Sequence, residues 1–126
     1  MTYPRVVVNT LVVDDEEDMR LLVSAVITIE NQGLAVIGEA AGGREAIELV
    51  RELGPDAVVL DQRMPDMTGI ETARALLDER PDLHIVLYTA YVDDETVDRA
   101  GDLGVHAVVP KGDQRGLIAA LRAATA

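Results

Sequence analysis

Short apolar runs alternate with longer amphipathic stretches along the whole chain. The runs are nearly continuous in Val, Ile, Leu and Ala, as expected for strands that are buried on both faces of a sheet. They cover five segments, which are Val6–Val13, Leu34–Ile37, Ala57–Leu60, Ile85–Tyr88 and Ala107–Val109. The pattern therefore predicts five buried strands.

The stretches between these runs carry apolar residues at a helical spacing. Helices are predicted over Met19–Ile27, Arg44–Leu53, Ile70–Leu77, Asp93–Ala100 and Leu117–Leu121. The fourth is the weakest, because only Val92, Val97 and Ala100 anchor it. Glycine and proline fall at the ends of the elements, as in Gly54-Pro55.

Five β/α units with right-handed crossovers predict an α/β fold. The expected architecture is a five-stranded doubly wound parallel sheet of order 2-1-3-4-5, the flavodoxin-like (βα)5 arrangement. A chain of 126 residues fits one domain, expected to occupy residues 1–126 with a core from about 6 to 124. The segment Ala123–Ala126 is the only candidate tail.

Composition narrows the class of protein. The chain has no Cys, which excludes disulfides and thiolate metal sites, and no Phe or Trp, which makes the core aliphatic. Its net charge of −12 argues against direct binding of nucleic acid. No signal-peptide pattern and no apolar run of membrane-spanning length is visible, so we expect a cytoplasmic protein without membrane association.

Polar side chains follow four of the five predicted strands. Asp14-Asp15 follow the first strand, Asp61 the third, Thr89 the fourth and Lys111 the fifth. Ligands of such sheets bind beyond the carboxyl ends of the strands, so these side chains are expected to converge on one rim. Lys111 is the only lysine among 11 positive residues, and its compact ammonium suits a tight pocket for a small anion.

This set of side chains predicts a magnesium-dependent phosphoryl site. Three carboxylates on one rim repel each other, and a hard divalent cation relieves the repulsion. Mg²⁺ prefers a few protein oxygens together with a phosphate. An aspartate can itself accept a phosphoryl group, whose charge is then neutralised by the cation, an ammonium and a hydroxyl.

The segment from Asp61 to Gly69 reads D-x-x-M-P-x-x-x-G. With this motif and the rim residues in the same order, the chain resembles the receiver domain of bacterial two-component response regulators, from about Val8 to Ala124. Segments 36–40 and 64–71 are most similar to the branch with helix-turn-helix output domains. The resemblance implies a phospho-accepting signalling domain that receives its phosphoryl group from a sensor histidine kinase, a phosphotransfer protein or a small phosphodonor. Such a domain catalyses its own phosphorylation and dephosphorylation without being an enzyme in the usual sense.

The resemblance also implies a role for each site residue. Asp61 is the expected phosphoacceptor. The implied ligands of Mg²⁺ are Asp14, Asp15, Asp61 and the backbone carbonyl of Arg63, with Asp15 binding directly and Asp14 mainly through water. The implied phosphate-binding residues are Thr89, Ala90 and Lys111. A homodimer through the face of the fourth helix, fifth strand and fifth helix is a further implied partner.

Two positions depart from the family pattern. Val108 stands where a Tyr or Phe usually precedes the lysine by three residues, and Gly112 stands where Pro usually follows it. The switch is therefore expected to involve Thr89 with Tyr91 or Val108, and Tyr91 is the best aromatic candidate. We assign no role to His84 and His106.

Other functions remain open at this point. A pseudo-receiver would use the same fold as a protein-binding adaptor without a phosphorylation cycle. A flavodoxin-like redox domain is disfavoured, because Asp14 to Glu17 would repel a flavin phosphate. A haloacid-type phosphatase would need D-x-D after the first strand. We interpret Glu16, Glu17 and Asp18 as a first helical turn favoured by the helix dipole. The sequence leaves open whether the chain is a whole protein or part of a longer regulator.

Overall fold

A computed structural model describes residues 7–125 and places strands and helices in alternation. The strands are β1 (Val8–Val13), β2 (Leu34–Ala40), β3 (Ala57–Leu60), β4 (His84–Thr89) and β5 (Ala107–Pro110). The helices are α1 (Glu17–Glu30), α2 (Gly43–Leu53), α3 (Gly69–Glu79), α4 (Asp94–Leu103) and α5 (Gln114–Arg122). The strands are parallel in the order β2-β1-β3-β4-β5, which confirms the predicted doubly wound sheet.

The sheet is covered on both faces by aliphatic side chains. One cluster packs α2, α3 and α4 against one face, and its buried members include Val50, Ile70, Leu76 and Ala100. A second cluster packs α1 and α5 against the other face, with Val23, Ile27, Leu117 and Leu121. Successive residues of β3, β4 and β5 alternate between the two clusters, as the pleat of a strand requires.

Several element boundaries differ from the sequence-based expectation. Strand β2 continues through Gly38 and Glu39 to Ala40, because it is an edge strand whose outer residues need not be apolar. Helix α1 begins at Glu17, in an acidic first turn that the helix dipole favours. The expected tail is instead a 3-10 turn, Ala123–Thr125, with Ala124 packed on the second cluster.

The strand register aligns the carboxyl ends of the central strands. Val13 lies beside Leu60, and Leu60 lies beside Leu87. Residues that follow these positions therefore share one rim of the sheet. Val6 and Ala126, which the predictions above include, lie outside the described residues. No helix between residues 7 and 125 is long and apolar enough to cross a membrane.

Candidate functional site

The two aspartates at the ends of β1 and β3 lie side by side and are buried. Asp14 is 3% exposed and Asp61 is 5% exposed. The backbone N–H of Asp61 donates to the carbonyl of Val13 at 3.0 Å, and the N–H of Asp14 donates to the carbonyl of Ala40 at 3.1 Å. The sheet ladder thus extends past both strand ends and fixes the backbone of both aspartates.

Lys111 connects these two carboxylates. Its Nζ lies 2.9 Å from Oδ2 of Asp14 and 3.4 Å from Oδ1 of Asp61. The backbone N–H of Lys111 donates to the carbonyl of Thr89 at 2.8 Å, which holds the lysine at the end of β5. Of the rim residues predicted from the sequence, Asp14, Asp61 and Lys111 therefore meet through their side chains, and Thr89 is joined to them through its backbone carbonyl.

The electrostatics of this group follow from burial and from the neighbouring charges. Burial raises the pKa of Asp61 above its ordinary 3.8, and the charge of Asp14 raises it further, against the opposing effect of Lys111. Burial would lower the pKa of Lys111, but its hydrogen bond to Asp14 and the two negative charges outweigh that effect and raise it above 10.5. The ammonium is therefore firmly charged, while the carboxylate of Asp61 carries an electrostatic penalty.

The loop after β3 is shaped around Asp61. Its Oδ1 accepts a hydrogen bond from the N–H of Gln62 at 2.9 Å. The side-chain oxygen of Gln62 accepts a hydrogen bond from the N–H of Ile70 at 2.9 Å. The backbone carbonyl of Gln62 accepts one from the N–H of Gly69 at 2.8 Å. A Cβ on Gly69 would lie 2.4 Å from the carbonyl oxygen of Asp61, which explains the glycine of the motif. The sequence could not indicate that Gln62 joins the loop to α3, because this contact depends on how the loop folds back on the helix.

A cavity of about 150 Å³ opens beside Asp61. Its lining includes Asp61 after β3, Thr89 and Ala90 at the end of β4, and Lys111 after β5. The remaining lining residues are Glu16, Arg63 and Tyr91. The guanidinium of Arg63 lies 5.9 Å from the ring centroid of Tyr91, within cation–π range. The cavity combines an ammonium, a hydroxyl and a buried carboxylate, which are the groups that a phosphoryl anion requires.

Oxygen donors for a cation lie next to this cavity. Carboxylate oxygens of Asp14, Asp15 and Glu16 lie within 4.8 Å of one another. Asp15 and Glu16 are exposed, and carboxylates are the ligands that Mg²⁺ prefers, so this donor set suits that ion. Glu16 is the N-cap residue of α1, one position before the first turn in which we expected it, and it also lines the cavity.

The backbone of Asp14 is held by a network of polar side chains that the sequence did not indicate. Nη1 of Arg20 donates to the backbone carbonyl of Asp14 at 2.7 Å. Nε of the same arginine lies 3.4 Å from Oε1 of Glu39, and Oε2 of Glu39 accepts a hydrogen bond from the hydroxyl of Ser24 at 3.3 Å. Helix α1 and strand β2 are thereby connected to the acidic end of β1.

The candidate switch residues occupy different environments. Thr89 is buried, Tyr91 is 62% exposed, and Val108 is half-buried against the cluster under α2, α3 and α4. Two histidines without an assigned role lie at the opposite end of the sheet. The rings of His84 and His106 have centroids 3.9 Å apart, and Nε2 of His84 lies 2.8 Å from the carbonyl of Ala120.

The sequence model of the response regulator receiver domain matches residues 10–122 of the chain. The chain therefore belongs to this family and is a receiver domain of the two-component response regulators, as the resemblance in its motifs predicted. Members of the family interact with histidine kinases or phosphotransfer proteins.

Individual relatives agree with this assignment. The response regulator protein VraR of Staphylococcus saprophyticus is 35% identical over 104 residues, which cover 82% of this chain and 49% of that protein. The chain thus spans about half the length of such curated relatives. Among solved structures, the receiver domain of the putative regulator NarL from Mycobacterium tuberculosis is 29% identical, with a TM-score of 0.85 over 94% of this chain and 97% of that one. A LuxR-family regulator from Aurantimonas sp. SI85-9A1 is 31% identical, with a TM-score of 0.85 over 93% and 84% of the two chains.

Proposed function

We propose that Asp61 is the residue that accepts the phosphoryl group in this receiver domain. The observation that carries the proposal is the position of the Lys111 ammonium, which contacts the carboxylates of both Asp14 and Asp61 at the wall of the cavity. A positive charge at this place offsets the negative charge that a phosphoryl group brings to a buried carboxylate.

In the proposed reaction, an oxygen of the ionised Asp61 carboxylate attacks the phosphorus of a phosphohistidine or a small acyl phosphate. A P–O bond to Asp61 forms while the P–N or P–O bond of the donor breaks, and the leaving group keeps the bonding electron pair. Lys111 pairs with the oxygens of the transferred group. The hydroxyl of Thr89 and the amide of Ala90, which also line the cavity, donate hydrogen bonds to it.

The proposed ligands of Mg²⁺ are Asp14, Asp15, Asp61 and the backbone carbonyl of Arg63. When bound there, the ion supplies Lewis-acid neutralisation of phosphoryl charge. The chain's own contribution is to hold Asp14 and Asp61 in place through the sheet ladder and to keep Asp15 open to solvent. Glu16 belongs to the same acidic group and is a further available oxygen donor.

The proposed donors are a sensor histidine kinase, a phosphotransfer protein or a small phosphodonor, in the cytoplasm. Phosphorylation would then change which partner the domain binds. Exposed side chains of Tyr91, Val92 and Val97 lie before and on α4, beside the proposed homodimer face of α4, β5 and α5. The charge of −12 speaks against direct contact with nucleic acid, so the output is proposed to run through protein contacts.

The test is mass spectrometry of the intact protein after incubation with acetyl phosphate. With Mg²⁺ present, one phosphoryl group should be added to the wild type and none to Asp61→Asn. Asp56→Asn is the matched control, because Asp56 lies before β3 whereas Asp61 follows it. This variant should be phosphorylated like the wild type, and omission of Mg²⁺ should slow the reaction.

A wild type that gains no phosphoryl mass from either a small donor or a phosphorylated histidine protein would contradict the proposal. That outcome would favour the pseudo-receiver, in which the fold serves only as a protein-binding adaptor. Undiminished phosphorylation of Asp61→Asn would instead show that the acceptor is a different residue.

A further inference from the structure

Tyr88 is a buried aromatic residue whose hydroxyl reaches the loop that carries Lys111. The side chain precedes Thr89 on β4 and points to the opposite face of the sheet, into the cluster under α1 and α5, where the residue is 3% exposed. Its phenol oxygen accepts a hydrogen bond of 2.9 Å from the backbone N–H of Gly112. The bond joins residues 24 positions apart and lies directly beside the lysine of the site.

The segment from Pro110 to Asp113 is a tight turn. The N–H of Asp113 donates to the carbonyl of Pro110 at 3.0 Å, and Gly112 has a φ of +98°. A positive φ at the third residue of such a turn is that of a type II turn, and it favours glycine. Lys111 is therefore the second residue of the turn, and the hydrogen bond between Pro110 and Asp113 fixes its backbone conformation.

Strand β4 holds this turn at two successive N–H groups. The N–H of Lys111 donates to the carbonyl of Thr89, and the N–H of Gly112 donates to the hydroxyl of Tyr88. The second bond requires a residue other than proline at position 112, since a proline would have neither the N–H nor this φ. The backbone under Lys111 is thus fixed from the same strand that supplies the hydroxyl of Thr89.

We infer that Tyr88 is a positioning residue, whose hydroxyl orients the turn so that the Lys111 ammonium reaches Asp14 and Asp61. The functional part of this inference rests on the proposed phosphorylation of Asp61. Lysine has four flexible methylenes, so an unanchored turn would leave the ammonium able to reach the carboxylates but less often at 2.9 Å from Asp14. Loss of the hydroxyl should lower the fraction of molecules with a prepared cavity.

The test compares Tyr88→Phe, which keeps the ring and removes only the hydroxyl, with Thr10→Val. Thr10 is the matched control, because it is a fully buried hydroxyl on β1 with only a 3.5 Å contact to the carbonyl of Val8. Three quantities are measured. They are amide hydrogen exchange at Gly112, the ¹⁵N signal of the lysine ammonium, and the rate of phosphorylation by acetyl phosphate. Because Lys111 is the only lysine, selective labelling gives a single ammonium signal.

We expect Gly112 to be protected in the wild type and to exchange roughly five- to tenfold faster in Tyr88→Phe, the factor set by one neutral hydrogen bond. The ammonium signal should broaden through faster exchange with water. The maximal phosphorylation rate should fall by a similar factor, with an unchanged acetyl phosphate concentration at half-maximal rate. Thr10→Val should change none of these quantities.

An unprotected Gly112 amide in the wild type would overturn the inference, whatever the variant does. So would a folded Tyr88→Phe with an unchanged ammonium signal. An unchanged maximal rate in that variant would show that the lysine needs no positioning. Failure of the wild type to be phosphorylated would instead overturn the proposed function, and the exchange and ammonium measurements would still decide whether Tyr88 orients the turn.

Discussion

At the scale of single residues, the carboxylate of Asp61 is held where its negative charge is disfavoured. Burial and the neighbouring Asp14 raise its pKa above 3.8, and Lys111 offsets only part of the effect. Below pH 3.8 the group is protonated in both the folded and the unfolded chain and costs nothing. As the pH rises through the higher pKa of the folded state, the folded chain pays the cost of ionising it.

Asp61→Asn should therefore stabilise the metal-free protein at neutral pH. Lys111 loses its 3.4 Å contact in this variant but keeps the 2.9 Å contact with Asp14. We expect a gain on the order of 1 kcal/mol in the free energy of unfolding, seen as a rise of several degrees in Tm. Thermal melts followed by circular dichroism measure it.

The difference between variant and wild type should vanish below pH 3.8, where both carry a neutral side chain. Asp56→Asn serves as the control at neutral pH, because its carboxylate accepts a hydrogen bond from the N–H of Asn9 and is outside the acidic group. That substitution should not stabilise the protein. A wild type as stable as Asp61→Asn at neutral pH would mean that Lys111 fully compensates the burial.

At the scale of elements, an aspartate of the loop after β3 caps a helix that is distant in sequence. Helix α2 begins after Gly42, which has no side chain to accept from the first N–H groups. The carboxylate of Asp66 accepts from the N–H of Gly43 at 3.1 Å and of Arg44 at 3.0 Å. It also accepts from the N–H of Met67 at 2.9 Å, so one side chain joins the loop after β3 to the start of α2.

These hydrogen bonds, first of all the one from Arg44, lower the pKa of Asp66 below 3.8. Its contribution to stability is therefore fully present above pH 3.8 and is lost as the pH falls through the lower pKa of the folded state. Asp66→Asn presents an amide N–H to one of the donors, so we expect it to cost about 1 kcal/mol at neutral pH. The variant should also have a weaker dependence of stability on pH between 3.8 and the acid unfolding transition. Urea melts across this pH range measure both effects.

Asp78 is an exposed aspartate on α3, and Asp78→Asn is the control for the loss of one negative charge. It should leave both the stability and its pH dependence close to those of the wild type. If Asp66→Asn behaves like Asp78→Asn, the cap contributes nothing in solution.

Hydrophobic periodicity sufficed to predict all five strands and all five helices, because the central strands are buried on both faces and each helix packs one face against the sheet. It misplaced the end of β2, where Gly38 and Glu39 interrupt the apolar run on an edge strand. It could not predict the cap from Asp66, since nothing in the spacing of residues 43 and 66 announces that their loops meet. The shared edge of the rim residues could be predicted, because parallel strands place their carboxyl ends at the same edge of the sheet. The hydrogen bonds of Tyr88 and Gln62 could not be predicted, because they depend on how the loops fold.

At the scale of the whole molecule, a thinly packed part of the fold lies next to the site. The buried residues of α4 are only Thr96 and Ala100, and the segment before it exposes Ala90, Tyr91 and Val92. Strand β5 is short and carries Val108, a stiff side chain with few rotamers to exchange. Regions with few buried apolar contacts open most readily.

We therefore predict that activation is felt mainly in residues 90–101 and only weakly in β5. Hydrogen exchange is measured with Mg²⁺ in the presence and absence of beryllofluoride, a mimic of the phosphoryl group. Protection should change several-fold in residues 90–101, because a two-state response must bias an element whose two arrangements differ in contacts. Asp61→Asn should show no change with the mimic. A large change at Ala107–Val109 with none in residues 90–101 would place the switch in β5 instead.

The two tyrosines on either side of Thr89 give the molecule an optical property. The chain has no Trp and no Phe, so its near-ultraviolet absorption, dichroism and emission come from three tyrosines, of which Tyr3 lies outside the described residues. Tyr88 is hydrogen-bonded beside the lysine, and Tyr91 lines the cavity under the guanidinium of Arg63. Much of the intrinsic chromophore is thus concentrated at the place where an anion would enter, and titrations of this corner of the protein can be followed by light without any label.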